Sequence, residues 1–195
     1  MAADETRRIT DLGTLKALGH PLRMKLYRAL FVARAATASQ LAEKVDEAIS
    51  LVSYHLRKLA AHGLIEEAEQ QSADGRERWW QVASQGVSFR DRDFRGAPER
   101  VAAYAAISRA AFRQRVEMYE CYLDEQVAWP QEWRNAEFSA EYLPRLTAEE
   151  LRQLGDEMQA LIKKWDEHGR AAQDAGDTEG RQDVAVHLYG FPFRP

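Results

Sequence analysis

The chain has 195 residues, 45% hydrophobic and 30% charged, with one cysteine, Cys121, and a formal net charge of −4. This is enough apolar material for one compact core with an appendage; it excludes the disordered and collagen-like classes, and a lone thiol supplies neither a disulfide nor the paired thiolates of a zinc or arsenic site. No apolar run approaches the roughly 18 to 20 residues that span a bilayer, and the start, MAADETRRIT, lacks the apolar middle of a secretory signal, so a cytoplasmic location without a membrane partner is expected.

Leu12, Leu15 and Leu18 recur every third residue; Gly19-His20-Pro21 interrupts them, and Leu22, Leu26, Tyr27, Leu30 and Phe31 resume a helical period behind a proline suited to a first helical position. Thr37 followed three residues later by Gln40 predicts a reciprocal capping box opening a third helix with Leu41, Ala42 and Val45. After the polar turn Asp46-Glu47-Ala48, in which Asp46 is expected to cap the next helix, comes ISLVSYHLRKLAAHGLI, residues 49–65. Here Ile49, Val52, Leu56, Leu59 and Ala60 are expected to share one buried face, and Gly63 to end the helix.

Ile65 onward and Arg76 to Val82 read as two short strands joined by a turn at Ser72 to Gly75. Residues 85–97, rich in Gly, Arg and Asp, read as a connector. Pro98 then starts a helix reaching about Gln126, striped by Val101, Tyr104, Ala105, Phe112, Val116, Tyr119, Tyr122 and Leu123. At 1.5 Å per residue this rod is on the order of 40 Å long, more than a small front domain covers, so part of its stripe needs another partner. Trp129-Pro130 breaks it, and Thr147-Ala-Glu-Glu150 caps a further helix expected over 147–167, with a solvated loop at 168–182. AEFSAEYLPRL and DVAVHLYGFPF alternate and predict a small two-stranded pairing.

Helix, turn, helix with a polar outer face, then strand, turn, strand is the layout that sets a helix in a DNA major groove and a hairpin against the flanking backbone. The wheel points Ser50, Leu51, Tyr54 and Lys58 outward, with Ser53 and Arg57 on a shoulder. Hydroxyls read base edges, Leu touches a thymine methyl, and Arg and Lys reach phosphates. An ordinary solvated face would mix in acidic residues for i,i+4 pairs, yet residues 49–65 contain none. Arg76 and Arg78 share one side of the second strand, placed either to grip a phosphate or to pair with Glu66, Glu67 and Glu69. Charge is divided accordingly: residues 1–95 carry +2 and residues 96–195 carry −6.

LKALGHPLRMKLYRAL, TASQLAEKV, SLVSYHLRKLAAHGLIEE and GRERWW together resemble the winged helix-turn-helix of ArsR-type bacterial transcriptional repressors over roughly residues 10 to 83. The resemblance implies a homodimer on an inverted-repeat operator, with Ser50, Ser53, Tyr54 and Arg57 at bases or phosphates. It also implies Thr37, Ser39 and Gln40 at the backbone. The remainder, including LTAEEL and VHLYGFPF, is similar to the longer carboxy-terminal region of some members. Two departures stand out: SQLAEKV has no thiol and residues 98–126 no histidine where metal-sensing members place ligands, and Asp46-Glu47-Ala48 replaces the usual Gly and Ser or Thr, setting negative charge near the DNA-facing end.

His55 is expected to be partly buried and bonded to backbone, and Cys121 to be an inert thiol. His168 and His187 with Asp166 and Asp183 lack ligand spacing. Trp129, Trp133, Phe138, Tyr142 and Trp165 either line an effector pocket or fill a core and dimer interface, the second being the expectation. No phosphate loop, nucleophile elbow or carboxylate pair proposes catalysis. The expected fold is mainly α with a small β wing: a winged helix-turn-helix DNA-binding domain at 10–84, a connector at 85–97, and a helical dimerisation and candidate effector region at 98–195. The expected function is a dimeric, cytoplasmic, nucleoid-associated DNA-binding regulator, a repressor without cofactor or metal. The alternatives are a winged-helix protein-protein module and a small-molecule-responsive regulator with an aromatic pocket.

Overall fold

A computed structural model describes residues 6–69 and 77–194, so the expected turn at 72–75 and Arg76 lie outside the described residues. The chain divides into two compact units, Met1–Glu125 and Gln126–Pro195. The first begins with β1 (Arg7–Arg8), α1 (Leu12–Leu18), α2 (Pro21–Ala33), β2 (Ala35–Thr37), α3 (Ala38–Val45) and α4 (Ile49–Ala61). It continues through β3 (Ile65–Glu67), β4 (Trp79–Val82), β5 (Val87–Ser88), a 3-10 turn at Asp91–Asp93 and α5 (Pro98–Glu125).

Local signals set the helix starts. The Asp11 carboxylate accepts from the Thr14 amide at 2.7 Å, Pro21 occupies the first turn of α2, and Thr37 and Gln40 close the predicted box at the start of α3. The helix ends are held by cations from elsewhere in the chain. Arg23 donates to the Ala17 carbonyl and to that of Lys16 at 3.2 Å, Lys25 to the Val45 carbonyl at 3.0 Å, and Arg7 to the His62 carbonyl at 3.0 Å and to that of Gly63. Each meets the negative end of a helix dipole and satisfies carbonyls that lack intrahelical partners. Gly63 is needed twice over: its φ is +62°, and an added Cβ would come within 3.2 Å of the Arg7 guanidinium.

The core gathers Leu15, Leu26, Leu30, Leu41, Val52, Leu56, Leu59, Leu64 and Ile65, each fully buried and worth about 1.5–3 kcal/mol by removal from water. Gly19 lets α1 and α5 cross closely, since a Cβ there would meet Ile107 at 2.6 Å. The wing sheet has three antiparallel strands in the order β2-β4-β3, with Ala36 opposite Trp80 and Ile65 opposite Val82. The unforeseen strand is β2: the exposed ladder edge of β4 finds a partner in the chain entering α3.

Residues 85–97 are not a plain connector. β5 pairs in parallel with β1, Arg7 opposite Val87, and Phe94 is fully buried, with Tyr104 of α5 stacked on it at 5.8 Å. Arg8 pairs with Asp93, and Arg100 donates to the Thr10 carbonyl at 2.9 Å and the Asp93 carbonyl at 3.1 Å. The polar composition that reads as a linker is the outer side of a strap whose Phe94 enters the core and whose Phe89 packs against it, edge-on to Tyr104 at 6.1 Å.

The second unit comprises a 3-10 turn at Gln126–Ala128, α6 (Gln131–Ala136) and α7 (Ala148–Asp174), the last opened by the predicted Thr147 and Glu150 box. The short α6 was not expected, and α7 continues to Asp174, through the first part of the segment read as a loop, because Ala171, Ala172 and Gln173 sustain a helix across Gly169; residues 175–182 are turns and coil as expected. The alternating segments 137–146 and 183–193 form no strand; within the chain neither gains a ladder partner. No described residue of this unit is buried. Tyr142 is 84% exposed, Phe138 79% and Trp165 61%, so on their own chain these rings fill no core, while Trp129 and Trp133 are half-buried. No helix among the described residues is long and apolar enough to cross a membrane.

Candidate nucleic-acid interface

α4 buries Val52, His55, Leu56 and Leu59 against the core and leaves Ser50, Leu51, Tyr54, Arg57 and Lys58 exposed, with Ser53 half-buried. Ile49 is the exception to the expected inward face. At 54% exposure it belongs to the outer surface, and the buried stripe of α4 begins only at Val52. Asp46 does not cap α4 either: it ends α3 in the left-handed region, φ +55°, with its amide on the Ala42 carbonyl, and α4 starts from Ala48 without a side-chain cap. The first amides of α4 are therefore not occupied by a side-chain cap, which leaves them available to an anion.

The outer side chains are ordered among themselves. The Lys58 ammonium lies 5.6 Å over the Tyr54 ring, and Arg57 Nε donates to the Ser53 carbonyl at 3.2 Å. Tyr54 meets the His55 ring edge-on at 5.1 Å, and His55 in turn lies 4.6 Å from the His20 ring at the start of α2. A run of rings thus links the α1–α2 corner to the exposed face. His55 is fully within the fold rather than at its margin, and its Nδ1 has no hydrogen-bond partner, so ring packing holds it and not the expected backbone bond.

Burial, with the nearby Arg23 charge adding to it, holds the His20 and His55 imidazoles below the usual histidine range, and Glu47 offsets this slightly at His55. The sign follows from proton uptake. The unfolded chain protonates near pH 6.5 while the folded rings stay neutral, so their contribution is complete above about pH 6.5 and is lost as the pH falls below it. The urea midpoint is expected to drop between about pH 7.5 and about pH 5.5, and His55→Phe to flatten that slope. Asp11, held low by the Thr14 amide, titrates well below this window. A slope identical in wild type and variant would exclude His55 as the responsible group.

On the wing, Arg78 pairs with Glu67 at 3.0 Å and lies 5.4 Å over the Trp80 ring, so the cross-strand reading holds within the chain; as an exposed pair it is weak and exchangeable for another anion. Ser39 Oγ donates to Glu77 at 3.2 Å, and Gln40 is exposed with its side-chain carbonyl on the Thr37 amide at 2.9 Å. Thr37 is a correction: it is buried, its hydroxyl spent on the Gln40 amide, and it has no surface to offer a phosphate. Between α3 and α4, Glu43, Asp46 and Glu47 line a shallow acidic hollow beside Ile49. Among the described residues no group of three His, Cys, Asp or Glu side chains could hold a metal ion. The sequence offered no signal for Arg7, whose grip on the end of α4 depends on a contact 55 residues away.

Residues 18–68 match a family model described as a helix-turn-helix domain. No curated protein matches the chain. Among solved structures it is similar to the transcriptional repressor PagR of Bacillus anthracis, at 26% identity over 37% of this chain and 78% of that one, TM-score 0.33. It is also similar to a transcriptional regulator homologue from Pyrococcus horikoshii OT3, at 21% identity over 49% and 88% of the two chains, TM-score 0.31. A Lactococcus lactis ZitR mutant in apo form is 17% identical over 79% and 91%, TM-score 0.30. The front unit is a winged helix-turn-helix within a mainly helical chain.

Proposed function

We propose that this protein is a DNA-binding transcriptional regulator of the ArsR type, a repressor that binds an inverted-repeat operator as a homodimer. The observation that carries the reading is the exposed, acid-free face of α4, where Ser50, Leu51, Tyr54, Arg57 and Lys58 stand together beside the wing. Serine and tyrosine meet base edges, Leu51 and the exposed Ile49 meet thymine methyls, and Arg57, Lys58, Ser39 and Gln40 meet phosphates. Arg78 exchanges Glu67 for the duplex backbone, and Arg76, outside the described residues, is a second candidate phosphate contact.

With so few cations per chain, two linked modules are needed for useful affinity. The stripe of α5, exposed at Phe112, Val116, Tyr119 and Leu123, supports pairing of two copies there. The aromatic residues Trp129, Trp133, Tyr142 and Trp165 become candidates for an effector site only where a second surface covers them. Selection of duplexes from random DNA tests the function: a regulator yields a site preferred by at least about a thousandfold over random sequence. Equal binding of all duplexes would instead make the α4 face a surface for docking an acidic protein.

Asp46 and Glu47 lie beside the first turn of α4 and oppose phosphate. Asp46→Asn keeps a residue that tolerates the left-handed conformation and removes the charge. Its affinity for any duplex is expected to rise by a few fold at low salt, with the preferred sequence unchanged. Filter binding at two salt concentrations reads this; an affinity that falls would place Asp46 in a direct contact.

A further inference from the structure

We propose that α7 is an antiparallel pairing helix whose occupant is the α7 of a second copy, with the two-fold axis passing between Gln159 and Ala160. This deepens the homodimer reading and rests on it. Fifteen large apolar residues between Val127 and Phe193 are exposed and no described residue of the unit is buried. A unit of about this size, if it folded alone, would bury about 60% of its surface, and a lone helix gains too little from its own hydrogen bonds to be more than marginal in water. These fifteen side chains leave bare apolar surface on the order of 1,000 Å² per chain, of which Leu154, Met158, Leu161 and Trp165 are the share carried by α7.

The helix itself selects the occupant and its direction. The tail at Gly190 touches Leu151, and beyond that contact Leu154, Met158, Leu161 and Trp165 form an uncovered seam at spacings of 4, 3 and 4 residues. Antiparallel pairing about the stated axis sets Trp165 against Leu154 and Met158 against Leu161 of the other copy, so the whole uncovered stretch is used and nothing else is. Gly155 sits in the middle of α7, where glycine costs about 1 kcal/mol relative to alanine, and nothing lies within 4 Å of where its Cβ would be. In this pairing it faces the Ile162 of the second copy, whose bulk the missing Cβ admits.

Charge agrees with the same geometry. Glu157 and Lys164 flank the seam on one side, and neither has an ion-pair partner among the described residues, whereas Lys163 pairs with Glu167 at 3.6 Å on the outer face. Antiparallel helices bring Glu157 of each copy beside Lys164 of the other, twice per dimer; parallel helices bring neither to a partner.

Sedimentation equilibrium of the full chain without DNA tests this. Glu157→Lys and Lys164→Glu, both surface changes that leave the fold intact, are each expected to weaken the dimer about tenfold at low salt, and the double swap to restore it. Leu161→Glu is expected to weaken the dimer by more than about tenfold, with the α5 stripe as the remaining contact, while the front unit retains its helical circular dichroism. A wild type that is monomeric at micromolar concentration would overturn both this pairing and the homodimer reading. Dimers unaffected by Leu161→Glu, or single charge reversals that the double swap fails to rescue, would overturn the α7 pairing alone and leave the dimer to other surfaces.

Discussion

Phe94→Ala is expected to destabilise the front unit by about 3–5 kcal/mol, read as a lowered urea midpoint in far-ultraviolet circular dichroism. The ring is fully buried, stacked on Tyr104, and covered by the Arg100 guanidinium 5.7 Å from its centre. Truncation opens a cavity that cannot collapse easily, because β1 and β5 on one side and α5 on the other are fixed by the Arg8–Asp93 pair and by Arg100 on the Thr10 and Asp93 carbonyls. Arg92→Ala, at an exposed position two residues away, is the matched control and is expected to stay within about 0.5 kcal/mol of wild type. A cost below about 1 kcal/mol for Phe94→Ala would mean that residues 85–97 behave as the linker their composition suggests.

The contrast between Phe94 and the helices shows which information is local. Pro21, the Thr37 and Gln40 pair, Gly63, and the Thr147 and Glu150 pair act on backbone groups within a turn of themselves, and each marks its helix end in the sequence as in the structure. β2 is different: Ala35-Ala36-Thr37 has no strand pattern of its own and becomes a strand because β4 lies alongside it. Gly19 reads only as a helix interruption, yet its φ is an ordinary −69° and its role is to admit Ile107 from a helix 88 positions later in the chain.

The same distinction governs the face of α4. Its periodicity separates inner from outer residues correctly from Val52 to Leu59, where packing on α2 and α3 enforces the pattern. It fails at Ile49, because an apolar residue in a first turn satisfies a helical period whether or not a neighbouring element covers it. In the second unit periodicity and the Thr147 and Glu150 box mark the start of α7 but not its end at Asp174, and they say nothing of what covers it. Alternation at 137–146 and 183–193 likewise records a preference for pairing that the single chain does not fulfil.

Tyr54→Ala is expected to change which duplex sequences are selected, by about 1–3 kcal/mol at one or two positions of each half-site, while Arg57→Ala weakens all duplexes alike and flattens the salt dependence. The two differ because of what holds them. The Tyr54 ring meets the edge of His55, which is itself packed on His20, so one side of the ring is backed by the fold while the rest of the side chain stays exposed to read a base edge. Arg57 returns only one nitrogen to its own helix, at the Ser53 carbonyl, and keeps the rest of an exposed guanidinium for a phosphate. Losing one phosphate contact per protomer reduces the slope of log affinity against log salt by about 2 for a dimer. Tyr54→Phe separates hydroxyl from ring: it keeps the packing with His55, so an altered consensus there assigns readout to the hydroxyl. Site selection with all three variants decides the matter. An unchanged consensus and unchanged affinity in Tyr54→Ala and Arg57→Ala together would remove the α4 face from DNA recognition.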